Sequence, residues 1–166
     1  MDLKGRVVGV NSQIISARGS SSGIGFSVSV DTVRRIVPEL IANGYFAHPW
    51  ICAQLLEIDP FIETALRDAG MNPPAERGLL IVETVDNAPA ERARLRGSMM
   101  TRAEGWRIPV GGDVITAMNG EPIDSFREFT VYPQTQTAVG DTVEVTVFSA
   151  GEERQVELML EEQPRR

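Results

Sequence analysis

An alternation of apolar and polar residues near the C-terminal end restricts the fold of this chain more than any other pattern in it. Residues 142–148 and 156–160 place an apolar side chain at every second position, and Ala150-Gly151 between them favours a turn. A period of two is typical of strands that pack one face against a core. We therefore predict two successive strands whose inward-facing residues are Val143, Val145, Val147, Val156, Leu158 and Leu160.

The region before these strands contains the other elements of a small domain. Strands are expected at residues 50–57, 78–85 and 113–118, and helices after Asp59-Pro60, over residues 88–95, and from Phe126. Ser125 and Glu128 make a capping box for the last of these helices, and Pro133 should end or bend it near Val131. Residues 48–162 thus predict a mixed α+β fold with about five strands and two or three short helices.

Residues 96–112 lack a clear period and are predicted to form a long connection. They carry Met99, Met100, Trp106 and Ile108, which should pack on something. Two readings stay open, because loops of this length are often functional. The segment could cover an edge of the core, or it could be a lid or a partner surface.

The first 44 residues predict two or three strands and one helix. The strands are expected at residues 6–11, 13–16 and 23–30, and the helix is expected to begin at an Asp31 cap and stop at Asn43-Gly44. Pro38 should kink this helix or restart it. Because so few elements cannot close a sheet, residues 1–44 are predicted to be the end of a larger domain, with exposed strand edges.

Composition excludes several classes of function. Residues 1–44 hold five basic and three acidic side chains, a net charge of +2, whereas the remainder holds 11 and 20, a net charge of −9. An acidic domain is a poor nucleic-acid binder, because phosphates need a positive surface. No apolar run approaches the ~20 residues of a membrane span. One cysteine and one histidine argue against a disulfide and a His/Cys metal site, and no cofactor is expected.

The stretch from Pro49 to Glu57 is the best candidate for a binding site. An aromatic and several apolar residues lead directly into a predicted strand. A turn with free backbone amides ahead of an open strand edge can hold the carboxylate of a peptide and add the peptide as a strand. Catalytic alternatives are weaker. Gly19-Ser20-Ser21-Ser22-Gly23 matches the nucleophile-elbow pattern, but a strand is predicted after it where the elbow needs a helix.

The order of motifs resembles the HtrA/Deg family of trypsin-like serine proteases with a PDZ domain. The similarity lies in residues 5–11, in residues 23–30 with the helix that follows, and in the landmarks His48-Pro49-Trp50-Ile51, Gly112-Asp113-Val114-Ile115 with Asn119-Gly120, and Val139-Gly140-Asp141. It implies a remnant of the protease barrel at 1–44, a PDZ domain at 45–162, built as a partly open barrel or sandwich, and a tail at 163–166. The family's catalytic serine motif would precede residue 5, so we expect no catalytic triad and no peptidase activity in this chain.

The resemblance also implies the site residues. The carboxylate-binding loop maps onto Trp50, Ile51, Cys52 and Ala53, and Cys52 stands where the family usually has glycine. The peptide groove maps onto Gln54, Leu55, Leu56, Phe126, Phe129 and Thr130. A remnant of the protease specificity pocket maps onto Gly23, Ile24, Gly25 and Phe26.

The implied partners are peptide or protein C-termini and unfolded proteins. The implied location of the parent protein is the bacterial cell envelope, either periplasmic or anchored outside the membrane. Unpaired edges predict self-association or strand exchange through residues 1–30, or disorder there. Three alternatives stay open: a stand-alone PDZ adaptor, a scaffold that self-associates through the Trp106 segment, and a hydrolase that uses the 19–23 serines with His48.

Overall fold

The computed structural model describes residues 1–14, 25–72, 77–103 and 105–163, and the chain divides into two compact units. Unit 1 comprises residues 1–46 and unit 2 residues 47–166. Among the described residues, no helix has the length and apolar content that crossing a bilayer requires.

In its described residues, 1–14 and 25–46, unit 1 contains one antiparallel strand pair and one helix. Strands β1 (Gly9–Ile14) and β2 (Gly25–Ser29) pair antiparallel, and helix α1 (Val30–Asn43) follows directly. Across the strands predicted at 6–11 and 13–16, the described residues form one strand, Gly9–Ile14, because a register shift between Asn11 and Gln13 lets it continue. Residues 15 and 16 lie outside the described residues.

Helix α1 begins two residues earlier than its sequence suggested. The cap is Ser29 and not Asp31, because the Ser29 hydroxyl accepts the Thr32 N–H at 3.2 Å while Asp31 already lies in the first turn. The helix also does not restart at Pro38 but continues to Asn43, where Gly44 ends it in the left-handed conformation, as predicted. None of the residues of α1 is buried.

Unit 2 holds the remaining elements in a mixed α+β arrangement, as predicted. Its elements in chain order are β3 (Pro49–Trp50), β4 (Ala53–Glu57), α2 (Pro60–Asp68), β5 (Leu79–Thr84), α3 (Pro89–Arg92), β6 (Met99–Ala103), β7 (Trp106–Val110), β8 (Val114–Met118), β9 (Glu121–Pro122), α4 (Phe126–Gln136), β10 (Thr142–Ser149), β11 (Glu152–Met159) and β12 (Glu161–Glu162).

An antiparallel sheet organises unit 2. Its strands follow the order β11-β10-β8-β5-β4, and β9 adds a short pairing to β8. Strand β3 pairs with β12, and β6 pairs with β7, in separate two-stranded sheets. Strands β4 and β11 therefore lie at the two ends of the main sheet.

Two apolar clusters form the core. The first core cluster contains the predicted inward-facing Val143, Val145, Val147, Leu158 and Leu160, each at most 1% exposed, together with residues of β5, β8 and α3. Val156 is only half-buried but packs against this cluster. The second core cluster contains Ile58, Leu66, Leu80, Ile108 and Val114. The alternation at the C-terminal end is thus confirmed as the inner face of a hairpin.

The prediction of an irregular connection at 96–112 is wrong, because β6 and β7 form a hairpin there. Met99 pairs with Val110 and Ala103 with Trp106. Only Ile108 of the four large residues is buried, whereas Met99, Met100 and Trp106 are 75%, 48% and 70% exposed. Apolar side chains on exposed positions hide the period of two that burial would otherwise impose.

Helix α4 also does not end near Val131. It continues through Pro133, which is buried, to Gln136. The Pro133 carbonyl accepts both the backbone N–H and the hydroxyl of Thr137, at 3.2 and 2.7 Å. These two bonds close the last turn of the helix and offset part of the cost of the proline.

Candidate functional site

Strand β4 presents an open edge. The N–H of Ile58 donates to the carbonyl of Gly78 at 2.9 Å, and the N–H of Val85 donates to the carbonyl of Cys52 at 3.1 Å. Because hydrogen-bonded and non-bonded pairs alternate along an antiparallel ladder, these two bonds fix which groups face β5. The backbone groups of Ala53, Leu55 and Glu57 face away from β5, where the described chain supplies no further strand.

The side chains of β4 form an apolar floor that ends in a carboxylate. Ala53 and Leu55 are half-buried and pack against the first core cluster. Gln54 is exposed, and Leu56 packs against the second core cluster on the opposite face. Glu57, at the end of the strand, turns its carboxylate towards α4. Of the groove residues predicted on this strand, Leu55 therefore lies on the groove side, together with Ala53 of the predicted loop, whereas Leu56 lies behind it.

Helix α4 lies beside β4. The N–H of Phe126 donates to Oε2 of Glu57 at 2.9 Å, which fixes the first turn of α4 at the C-terminal end of β4. The helix also approaches β3, which lies at the opposite end of β4. The helix thus runs alongside the strand in the opposite direction, with Phe129 half-buried on the first core cluster and Phe126 and Thr130 exposed.

The predicted capping box of α4 is confirmed. The Ser125 hydroxyl accepts the Glu128 N–H at 3.3 Å, and the Glu128 carboxylate accepts the Asp124 N–H at 2.8 Å. The Asp124 N–H, with the Ser125 hydroxyl, holds the pKa of Glu128 below its ordinary value. Three groups, Ser125, Glu128 and Glu57, therefore satisfy the helix N-terminus that borders the groove.

The loop before β4 leaves backbone amides unused. Trp50 pairs with Glu161 of β12, after which Ile51 and Cys52 are 2% and 3% exposed. Cys52 has a φ of 62°, the left-handed conformation that glycine adopts most easily. No described residue accepts a hydrogen bond from the N–H of Ile51 or of Cys52. Two amide donors and the open edge of β4 therefore follow one another along the chain.

The Cys52 thiol is unsuited to catalysis. Burial, helped by the charge of Glu161 and opposed by that of Arg92, raises the pKa of Cys52 to about 11. At neutral pH the thiol is therefore protonated, and a protonated thiol is a poor nucleophile. Its position indicates a packing role in the loop.

The other sequence candidates do not gather at this site. Gly25 and Phe26 begin β2 in unit 1, where Phe26 is 45% exposed, while Gly23, Ile24 and the 19–23 serines lie outside the described residues. His48 uses its backbone carbonyl to accept the N–H of Gln163. In the described ranges, no three His, Cys, Asp or Glu side chains come together in a way that could hold a metal ion.

Glu57 is a site residue that sequence reasoning missed. Its partner Phe126 is 69 positions away, so no local pattern reveals the contact. The only local signal is its place at the end of an apolar strand, just before the Asp59-Pro60 helix start.

Comparisons with known proteins give the family of the chain. The family model described as PDZ domain matches residues 23–160. "Protease Do-like 1, chloroplastic" of Arabidopsis thaliana is 30% identical over 165 residues, which are 99% of this chain and 34% of that protein. The "Probable periplasmic serine endoprotease DegP-like" of Rhizobium meliloti (strain 1021) is 29% identical over 96% of this chain and 28% of its own length.

A solved structure of similar fold is "HtrA-type protease AlgW with decapeptide", with a TM-score of 0.72 and 20% identity over 98% of this chain and 44% of that one. The chain spans about a third of the length of the curated relatives it matches. The resemblance to HtrA/Deg proteins is confirmed.

Proposed function

Since the chain belongs to the PDZ domain family and resembles HtrA/Deg proteins along nearly its whole length, we propose that unit 2 binds the C-terminus of a peptide or unfolded protein as an added strand. The peptide pairs with the outward-facing backbone of β4, and its carboxylate accepts hydrogen bonds from the loop at Ile51 and Cys52. The observation that carries the proposal is the open β4 edge beside α4, preceded directly by two amides without acceptors.

The groove lining favours an apolar C-terminal residue. Ala53 and Leu55 form its floor and Phe129 its helical wall, and all three pack on the first core cluster while keeping part of their surface exposed. Burying apolar surface of the peptide there contributes about 25 cal/mol per Å². The acidic balance of residues 45–166 means that the carboxylate depends on the local amides, because the overall field repels it.

In a longer protein, this groove would recruit substrates to a serine endopeptidase domain or regulate it. The relatives named as proteases, and the solved neighbour named with a decapeptide, support that role. The relatives that are named periplasmic favour a bacterial envelope location for such a longer protein. For the chain itself we propose binding without cleavage, because β2 begins at Gly25 and α1 only at Val30, where a nucleophile elbow would need a helix directly after its serine.

The test is fluorescence anisotropy with labelled peptides that end in valine or phenylalanine, each with a free or an amidated C-terminus. We expect each amidated peptide to bind at least about tenfold more weakly than the same peptide with a free C-terminus, because hydrogen bonds to a charged acceptor contribute about 1.5–3 kcal/mol. Methylation of a single backbone nitrogen of the peptide should weaken binding only where that nitrogen faces β4. Mass spectrometry of the same mixtures should show intact peptides.

A matched pair of variants on α4 locates the site. Thr130→Arg places a long charged side chain at the predicted groove wall and should abolish binding. Val131→Arg makes the same change one position along, where the side chain borders a cavity that Asn119 and Pro122 also line, and should leave the affinity within about twofold. Equal affinity of free and amidated peptides, or equal effects of the two variants, would refute the proposal.

A further inference from the structure

The β6–β7 hairpin carries a pair of like charges that no described carboxylate neutralises. Arg102 and Arg107 lie directly opposite each other across the hairpin, and both side chains are exposed. Three described arginines of unit 2, Arg67, Arg92 and Arg154, do form ion pairs with carboxylates of unit 2. Like charges directly opposite on antiparallel strands destabilise the pairing, so this arrangement costs stability unless a partner offsets it.

Exposed apolar side chains lie on both faces of the hairpin. Met100, 48% exposed, shares the face of the arginine pair, two positions from Arg102, whereas Trp106, 70% exposed, is the neighbour of Arg107 on the opposite face. Methionine, tryptophan and arginine are enriched at protein interfaces, where they supply contact area and charged hydrogen bonds together. The hairpin therefore has the composition of a docking surface.

The opposite charge pair exists elsewhere on unit 2. Glu144 of β10 and Glu157 of β11 also lie directly opposite each other and are exposed, and no described cation pairs with them. Met159, 50% exposed, lies on the same face two positions from Glu157. This ribbon is at an end of the main sheet, where β10 is the one strand of the described chain that pairs with β11.

We propose that the β6–β7 hairpin of one copy docks on the β10–β11 ribbon of a second copy. Arg102 and Arg107 then bond to the second copy's Glu144 and Glu157. Directly opposed residues on antiparallel strands have Cβ atoms about 4.5–5.5 Å apart, so the two arginines match the two glutamates in spacing and form both contacts at once. The contact removes an unfavourable like-charge pair from each partner.

The matched spacing favours a second copy over an anionic lipid surface, which would satisfy the arginines but leave the glutamate pair unexplained. The contact joins two different surfaces, so each associated copy still offers one free hairpin and one free ribbon. Association of this kind continues into a ring or an open chain. Because two acidic copies repel each other as a whole, reversing the local charges tests the contact more sharply than added salt.

Sedimentation velocity of the whole chain over a range of concentrations tests the proposal. We expect the wild type to form species larger than a dimer. Arg102→Glu with Arg107→Glu should raise the apparent dissociation constant at least about tenfold, and so should Glu144→Arg with Glu157→Arg. The chain with all four substitutions, and an equal mixture of the two double variants, should return to within about threefold of the wild type, which no folding defect would do.

The matched control is Glu83→Arg with Glu121→Arg, which makes the same change in net charge as the ribbon variant at two exposed glutamates outside the β10–β11 ribbon, and it should associate like the wild type. Three results would overturn the proposal. The first is a wild type that stays monomeric at about 0.5 mM, a concentration at which even a weak interface should associate. The second is association that neither double variant changes, which would place the contact at another surface such as residues 1–30. The third is a fourfold variant that does not recover the association of the wild type.

Binding to vesicles of phosphatidylglycerol and phosphatidylcholine tests the other possible partner of the hairpin, an anionic lipid surface. A wild type that stays monomeric but binds the anionic vesicles through Arg102 and Arg107 would assign the hairpin to a lipid surface, and would likewise overturn the second-copy proposal.

Discussion

Cys52 shows how a single residue accommodates a backbone that usually belongs to glycine. The resemblance implied glycine at this position, and the chain keeps a φ of 62° without it. A side chain in the left-handed region costs about 1 kcal/mol or more, because its Cβ crowds the next carbonyl. Burial of the small, unbranched thiol offsets part of that cost, since Cys52 is only 3% exposed.

Substitutions at Cys52 should therefore rank by backbone preference and not by size alone. We expect Cys52→Gly to stay within about 1 kcal/mol of the wild-type free energy of unfolding, since relief of strain offsets the lost burial. Cys52→Val, which is β-branched, should lose about 2 kcal/mol or more. Urea denaturation measures both changes.

The ranking is specific to the left-handed conformation. If Cys52→Val were as stable as Cys52→Gly, the loop would not hold a positive φ at this position. The peptide affinity of Cys52→Gly should stay within about threefold of the wild type, because the amides keep their direction.

Helix α4 depends on local and distant residues in different ways. The cap by Ser125 and the reciprocal bond of Glu128 follow from spacing, and the sequence predicts both. The link from Glu57 to the Phe126 N–H joins the same helix terminus to the edge strand, and only the folded chain brings the two together. This link holds the two walls of the groove at their shared end.

Removal of the Glu57 carboxylate should weaken both the helix and the groove. We expect Glu57→Ala to lower the free energy of unfolding by about 1–2 kcal/mol, because an anion at a helix N-terminus accepts a charge-assisted hydrogen bond. Glu57→Gln should lose about half as much, since the amide oxygen still accepts. Thermal unfolding and peptide anisotropy are the measurements.

The control for Glu57 is Glu83→Ala, which removes an exposed glutamate from the neighbouring strand β5. It should change stability by less than about 0.5 kcal/mol, as surface substitutions usually do. Equal effects of Glu57→Ala and Glu83→Ala would show that the link to Phe126 contributes nothing.

The two units of the molecule differ in how much they bury. Unit 2 contains both core clusters, whereas no residue of α1 in unit 1 is buried, and Val10, Phe26, Leu40 and Ile41 are 48%, 45%, 44% and 81% exposed. A two-stranded pair and one helix whose described residues include none that is buried gain little hydrophobic stabilisation. We propose that unit 1 is stable only in the company of further chain or of another molecule, in line with the predicted protease remnant.

Hydrogen exchange should show this difference directly. We expect backbone amides of α1 to exchange at least about 100-fold faster than those at Leu79, Ile115 and Val145, which are fully buried in unit 2. Protection in β1 and β2 that rises with protein concentration would support the predicted self-association through residues 1–30. Equal protection of α1 and the unit 2 strands at low concentration would contradict the proposal that unit 1 is not stable by itself.

Local patterns in the sequence determined most of the elements of this protein and its mixed α+β class. Alternating valines set the inner face of β10, and Asp59-Pro60 and Ser125 with Glu128 set helix starts. Asn119-Gly120, both at positive φ, set the turn between β8 and β9. Each of these depends on neighbours within a few residues. Patterns failed where exposure removed the apolar period, as in the β6–β7 hairpin, and in placing the end of α4, which lies beyond the buried Pro133 at Gln136.

Tertiary structure alone decided the arrangement of the candidate site. The open edge of β4, its partner helix and the link from Glu57 to Phe126 join residues far apart in the chain, and no local spacing records such contacts. The positive φ of Cys52 is likewise set by the pairings of Trp50 with Glu161 and of Ala53 with Thr84 on either side of it, since the residue's own preference is against that conformation.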